Sequence, residues 1–250
     1  MDRELIIAIP GPWNDRAEFL SGVIASTKGE FMFAGNILAN PKAKDHIAVE
    51  LYEAEPHMGE AFEYAGQGKL KQDTIKAIAE HKTTAYLHFP LDVSGEQARL
   101  KMFTAVIRQI GGVALKIESS GTALEWEVWD EILDSTNPFD LYRGFVTLIG
   151  DEGSYYSCGM HHFGLPESQV PRSLDVREAA DLLNRFNYYR MVENPEFKDG
   201  HTFSLSEERP WYRLSLLPDQ RHESVDLFHN PYGVWDMEPA EQCTPVDAPK

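Results

Sequence analysis

The chain has 250 residues, with 23 Lys plus Arg against 40 Asp plus Glu and a formal net charge of −17. An apolar fraction of 42% and a charged fraction of 25% exclude wholesale disorder, a collagen repeat and a coiled coil, and imply a folded, soluble protein. The acidic balance argues against direct binding to nucleic acid or an anionic membrane, so a charged partner is expected to be basic. Cys158 and Cys243 stand far apart with no CxxC, which argues against a disulfide framework or zinc knot and leaves two reduced thiols. The first residues carry no basic n-region, and the apolar run 5–9 stops at Pro10-Gly11, too short for a signal or a membrane span; a cytoplasmic protein is expected.

In chain order, residues 5–9 read as a buried first strand. A helix follows, capped by Asn14 or Asp15 and carrying Phe19, Leu20, Val23 and Ile24 to Lys28-Gly29. Strands are predicted over 31–38 and 46–52, a helical stretch over 59–82 and a strand over 83–89. Ser94 to Gln97 has capping-box spacing before a helix with Leu100, Phe103, Val106, Ile107 and Ile110 that closes at Gly111-Gly112. Residues 113–117 read as a strand. Thr122 and Glu125 form a second capping box, opening a helix to about Asp134. Residues 142–149 and 154–160 read as a hairpin turning through 150–153, and Asp175 with Glu178 starts another helix with Ala179, Leu182, Leu183 and Phe186. Late β segments fall at 201–205 and 211–216, and residues 238–250 read as a Pro-rich tail. Alternation early and consecutive strands later predict an α+β fold: one compact domain over 1–237 with a mixed, largely antiparallel sheet flanked by helices.

The acids are unevenly spread. Residues 45–68, 117–142 and 222–249 contain no Lys or Arg yet hold six, seven and six acids. In the middle run Glu127, Asp130, Glu131 and Asp134 fall at i, i+3, i+4 and i+7, one helical stripe opposite Val128, Trp129, Ile132 and Leu133. Like charges four apart each cost roughly 0.2–0.5 kcal/mol, so local helix stability does not account for the stripe. It is either the solvated face of an acidic protein or a fixed negative field presented to a basic partner. Glu50, Glu53 and Glu55 form a second candidate patch.

For chemistry, the strongest candidate is His161-His162, which could join Asp151 and Glu152 across the predicted hairpin as a metal or general-base site. Histidines at strand ends more often serve as structural hydrogen-bonders. Cys158 beside the pair reads as a small core residue rather than a nucleophile. GxSxG, P-loop and GxGxxG patterns are missing, no cofactor is implied, and no catalytic residue is assigned.

The segment Gly159-Met160-His161-His162-Phe163-Gly164-Leu165-Pro166-Glu167, after a Tyr/Ser-rich strand and before a capped helix, resembles an uncharacterised bacterial family known only as a domain of unknown function. The Gly112-Val113-Ala114 strand and the Trp126/Trp129 helix extend the likeness over about 83–189. The resemblance implies an intracellular protein, in some cases from type VI secretion neighbourhoods, that acts as an immunity protein against a secreted toxin. With the charge layout, the expected partner is a cognate effector with a basic surface, a nuclease, contacted through Glu127, Asp130, Glu131, Asp134, Glu50, Glu53 and Glu55. The alternatives are a metal-dependent or hydrolytic enzyme using His161, His162, Asp151 and Glu152, and a secretion-system adaptor.

Overall fold

In the first strand, β1 (Glu4–Gly11), Leu5, Ile7 and Ile9 are fully buried. The computed structural model describes residues 4–240. After β1 the Asp15 carboxylate caps α1 (Arg16–Ser26), accepting from the Glu18 N–H at 2.9 Å, as predicted. The expected strand over 31–38 is instead a hairpin, β2 (Met32–Ala34) and β3 (Ile37–Asn40), because Gly35 at φ +52° turns the chain. β4 (Asp45–Glu53) follows. The helical stretch over 59–82 divides into α2 (Met58–Gly66) and α3 (Gln72–Ala79) where Gln67 and Gly68 both take positive φ.

β5 (Thr83–Pro90) leads to α4 (Val93–Gln109), whose cap is Asp92, accepting from Gly95 N–H, rather than the Ser94 box. β6 (Leu115–Ile117) and β7 (Thr122–Leu124) precede α5 (Trp126–Asp134) and α6 (Pro138–Phe145). The Thr122 box is thus overturned: Thr122 lies in a strand, and Glu125, at the helix cap position, makes no cap bond. Its carboxylate accepts from Lys71 N–H at 2.8 Å and Thr74 Oγ1 at 3.0 Å instead.

These elements form the first of two compact units, Met1–Phe145, around a seven-stranded antiparallel sheet ordered β2-β3-β4-β5-β1-β6-β7. β1 and β4 run the same way with β5 antiparallel between them, and β5 and β6 likewise flank β1, two interleaved split β-α-β arrangements. One face packs on α1 and α4, where Phe33 meets Phe19 at 4.9 Å between rings and Phe89 meets Phe103 at 6.3 Å; on the other, Ala123 of β7 and the nearby Ala114 join Met58, Phe62 and Ile78 of α2 and α3 in a second apolar cluster.

The second unit, Val146–Lys250, has its own sheet and apolar cluster. It contains β8 (Thr147–Gly150), β9 (Ser154–Cys158), a 3-10 turn (Met160–Phe163), β10 (Glu167–Pro171) and α7 (Val176–Glu193), which Asp175 caps as predicted. β11 (Thr202–Phe203), β12 (Trp211–Leu217) and β13 (Val234–Ala240) complete a sheet ordered β11-β12-β13-β10-β9-β8. Among the described residues only β10 and β13 pair in parallel; the other neighbours are antiparallel.

The fold class is α+β, with two largely antiparallel sheets where the sequence predicts one sheet in one domain over 1–237. The predicted strand over 142–149 begins as helix α6, and residues 238–240 of the predicted tail belong to β13. Pro239 fits there because β13 pairs with β10 only over 234–236, which leaves its missing N–H on an unpaired side. Residues 241–250 of that tail, with Cys243, lie outside the described residues. Among the described residues no helix is long and apolar enough to cross a membrane.

Candidate functional site

The α5 carboxylates lie on the outer face of a helix whose other side buries Trp129, Ile132 and Leu133. Trp129 is anchored by an Nε1–H bond to Thr104 Oγ1 of α4 at 2.9 Å. That anchor brings α4 bases to the stripe. Arg108 pairs with Asp130 and lies 3.5 Å from Glu127, Lys101 pairs with Asp134, and Lys71 lies 3.3 Å from Glu127. The Glu127 backbone N–H, the Lys71 ammonium and, beyond them, Arg108 hold the Glu127 carboxyl below the usual range. The run 117–142 has no base of its own, but Lys101 and Arg108 of α4 and Lys71 pair with Glu127, Asp130 and Asp134 across the fold. Glu131 is exposed on the same helix.

The second candidate patch separates by strand alternation. Glu50 stands on the sheet face opposite the core, with Tyr52 donating to its Oε2 at 2.9 Å. Glu53 belongs to the other parity at the strand end, and Glu55 follows in the loop, its N–H donating to His81 Nε2 at 3.3 Å.

On the open face His88 of β5 lies between two carboxylates, its Nδ1 2.8 Å from Glu4 Oε2 and its Nε2 4.0 Å from Glu50 Oε2. The Tyr52 and Tyr86 rings meet edge to face at 5.4 Å. Burial, then the negative charge of Glu118 and the neighbouring Tyr52 and Glu55, push the Tyr86 hydroxyl up to about 12. Sequence reading singled out Glu50 here but missed His88, Tyr86 and Glu4; the period-2 pattern of β4 and β5 was the available signal.

In the second unit the paired histidines sit on the 3-10 turn between Gly159 at φ +123° and Gly164 at φ +70°, conformations that suit glycine. His161 is 1% and His162 0% exposed, with ring centroids 4.3 Å apart. The partner of His161 is Glu167, whose Oε1 lies 3.2 Å from Nδ1; the Asp151 and Glu152 expected beside it belong to the β8–β9 turn. Glu167 also accepts from Ser157 Oγ at 2.7 Å, Gly159 N–H at 3.0 Å and Asn230 Nδ2 at 3.0 Å. The cluster holds the imidazole in place but shields it from solvent, and His161 Nε2 is buried without a hydrogen-bond partner. Among the described residues no group of three or more His, Cys, Asp and Glu side chains is arranged to hold a metal ion. Burial, reinforced by the negative charges of Glu167, Asp219 and Asp226, raises the Cys158 thiol well above its ordinary value, away from the activated thiolate a nucleophile needs.

Asp151 is engaged elsewhere. Burial opposes its ionisation, but the N–H groups of Ser154 and Gly153 and the Arg221 guanidinium outweigh it and hold the carboxyl low. Arg221 reaches Asp151 Oδ2 at 3.3 Å, Ser154 Oγ at 2.6 Å and Gln169 Oε1 at 2.5 Å, lining an open cleft of about 860 Å³ with Glu152, Gln220 and Leu217.

The fold is that of an α+β protein with two sheets. A family model described as a domain of unknown function, DUF4261, matches residues 156–238, which lie in the second unit and include the Gly159 to Glu167 segment. No curated protein and no solved structure matches the chain.

Proposed function

We propose that the chain is a binding protein that neutralises a cognate basic toxin, an immunity protein for a type VI secretion effector with a nuclease-like, cation-lined groove. The observation that carries this reading is that Glu50, Glu53 and Glu55 have no Lys or Arg ion-pair partner among the described residues, whereas most of the α5 stripe is internally compensated. Uncompensated carboxylates on a rigid strand and its following loop give a fixed negative potential, which accelerates encounter with a basic surface and can stand in for phosphates in a nuclease groove. The net charge of −17 supports the same sign of partner. Such a protein acts in the cytoplasm, where the toxin's nucleic-acid targets lie.

The test is co-expression with the product of the adjacent gene, followed by purification. The expected result is restored growth and a complex that weakens with salt. Unrescued growth, with no complex surviving purification at low salt, would overturn the proposal.

A further inference from the structure

Away from the β6–β7 end, which α2 and α3 cover, the sheet face opposite α1 and α4 is exposed over β2, β3 and β4. Strand register sets Ile6, His88, Ala48 and Ile37 in one row across β1, β5, β4 and β3, with Ala8, Tyr86 and Glu50 in the next. Large apolar side chains stand in solvent there: Tyr52 is 56%, Met32 50% and Ile37 46% exposed. Beside them, Glu4 and Glu50 have only the His88 imidazole as an ion-pair partner among the described residues, while Lys116, whose Cα pairs with Ala8, is 2.9 Å from Glu118. His46 and Tyr52 are the other titratable groups on this face of β4. Apolar stems next to unmatched carboxylates complement Lys and Arg side chains, whose methylenes cover apolar surface while the charge meets an acid. The Tyr52 ring, held against Tyr86, offers a π face beside the Glu50 carboxylate, the pairing that suits a guanidinium.

We propose that this face is the docking surface for an extended cationic segment of a protein partner, with an arginine placed over Tyr52 and against Glu50, and neighbouring stems lying over Ile37 and Met32. Charge complementarity selects the occupant, and the size of the face selects a segment. From β2 to β1 the face crosses four inter-strand spacings, about 19 Å, the reach of about six extended residues. The inference rests on the binding reading above and names the surface that performs it.

The test uses the full chain and a fluorescently labelled arginine-rich nonapeptide, read by anisotropy, with thermal unfolding of each variant as a check on folding. Glu50→Gln and Glu127→Gln change charge equally at two places. Affinity is expected to fall at least about fivefold for Glu50→Gln and Tyr52→Ala, to change less than about twofold for Glu127→Gln, and to be retained by Tyr52→Phe, which keeps the ring. Equal losses at Glu50 and Glu127, a Tyr52→Phe loss as large as that of Tyr52→Ala, no measurable binding, or tighter binding of free spermine than of the peptide would overturn it. The titration needs no toxin. Peptide binding on this face without growth rescue would remove the immunity reading and leave the surface, whereas full rescue by a Glu50→Lys chain would remove the surface and leave the immunity reading.

Discussion

Glu167 gathers the Ser157 hydroxyl, the Gly159 N–H, the Asn230 amide and the His161 imidazole on one buried carboxylate. Its replacement by Gln keeps the size but turns part of an acceptor into a donor among donors. Glu167→Gln is expected to lower unfolding free energy by about 2–4 kcal/mol in denaturant titrations, and an unchanged midpoint would contradict the role given to this side chain. Tyr86 supplies a second prediction. Its folded-state ionisation near 12 lies above the ordinary value of 10, so the native state favours the neutral phenol. Its contribution is present in full below pH 10 and is lost as pH rises through about 12. Alkaline absorbance titration should lose one phenol from the phase near pH 12 in Tyr86→Phe, and that variant should lose less stability than wild type between pH 10 and 12. A Tyr86 midpoint near 10 would contradict the burial of this phenol, and with it the neighbouring negative charge, that raise its ionisation. His161, His162 and Glu167 all stood in the segment quoted from the sequence, yet their grouping was not legible, because Asn230 arrives from 63 residues away.

The strongest helices and strands were readable because their apolar period and caps agree, as with Asp15 before α1 and Asp175 before α7. Where a cap pattern competed with tertiary pairing, pairing won. Thr122 and Leu124 were drawn into the β6–β7 hairpin, and Glu125 turned to the N–H of Lys71. β10 and β13 went unread since each is short or carries Pro and acids, and a parallel partner distant in sequence leaves no local signal. The same limit explains α5. Its acidic stripe was visible, but Arg108 and Lys101 sit on another helix and Lys71 in a distant loop. Reversing Glu127, Asp130, Glu131 and Asp134 to lysine should therefore lower the melting temperature at low ionic strength, with partial recovery in salt, because the new ammonium groups face Lys71, Arg108 and Lys101. Affinity for a basic partner should change less than for Glu50→Lys. A larger loss of binding from the α5 variant would restore that helix to the interface.

At the scale of the whole molecule, fold class followed from composition and patterning, while the number of sheets and the placement of unmatched charge required the structure. Acidity is widespread, but internal pairing consumes much of it on α5 and leaves carboxylates on β4 and β1 facing exposed tyrosine and aliphatic side chains. Binding through such a surface should be driven by charge and tuned by register, so weakening should follow position and ionic strength together. The most direct measurement is calorimetric titration of the full chain and its Glu50→Lys variant with the adjacent gene's product over a range of salt concentrations. Wild-type affinity is expected to fall steeply with salt, and that of the variant to be at least about tenfold weaker at low salt, with a shallower slope. Affinity that is indifferent to salt and unchanged by Glu50→Lys would contradict charge-driven binding through this surface.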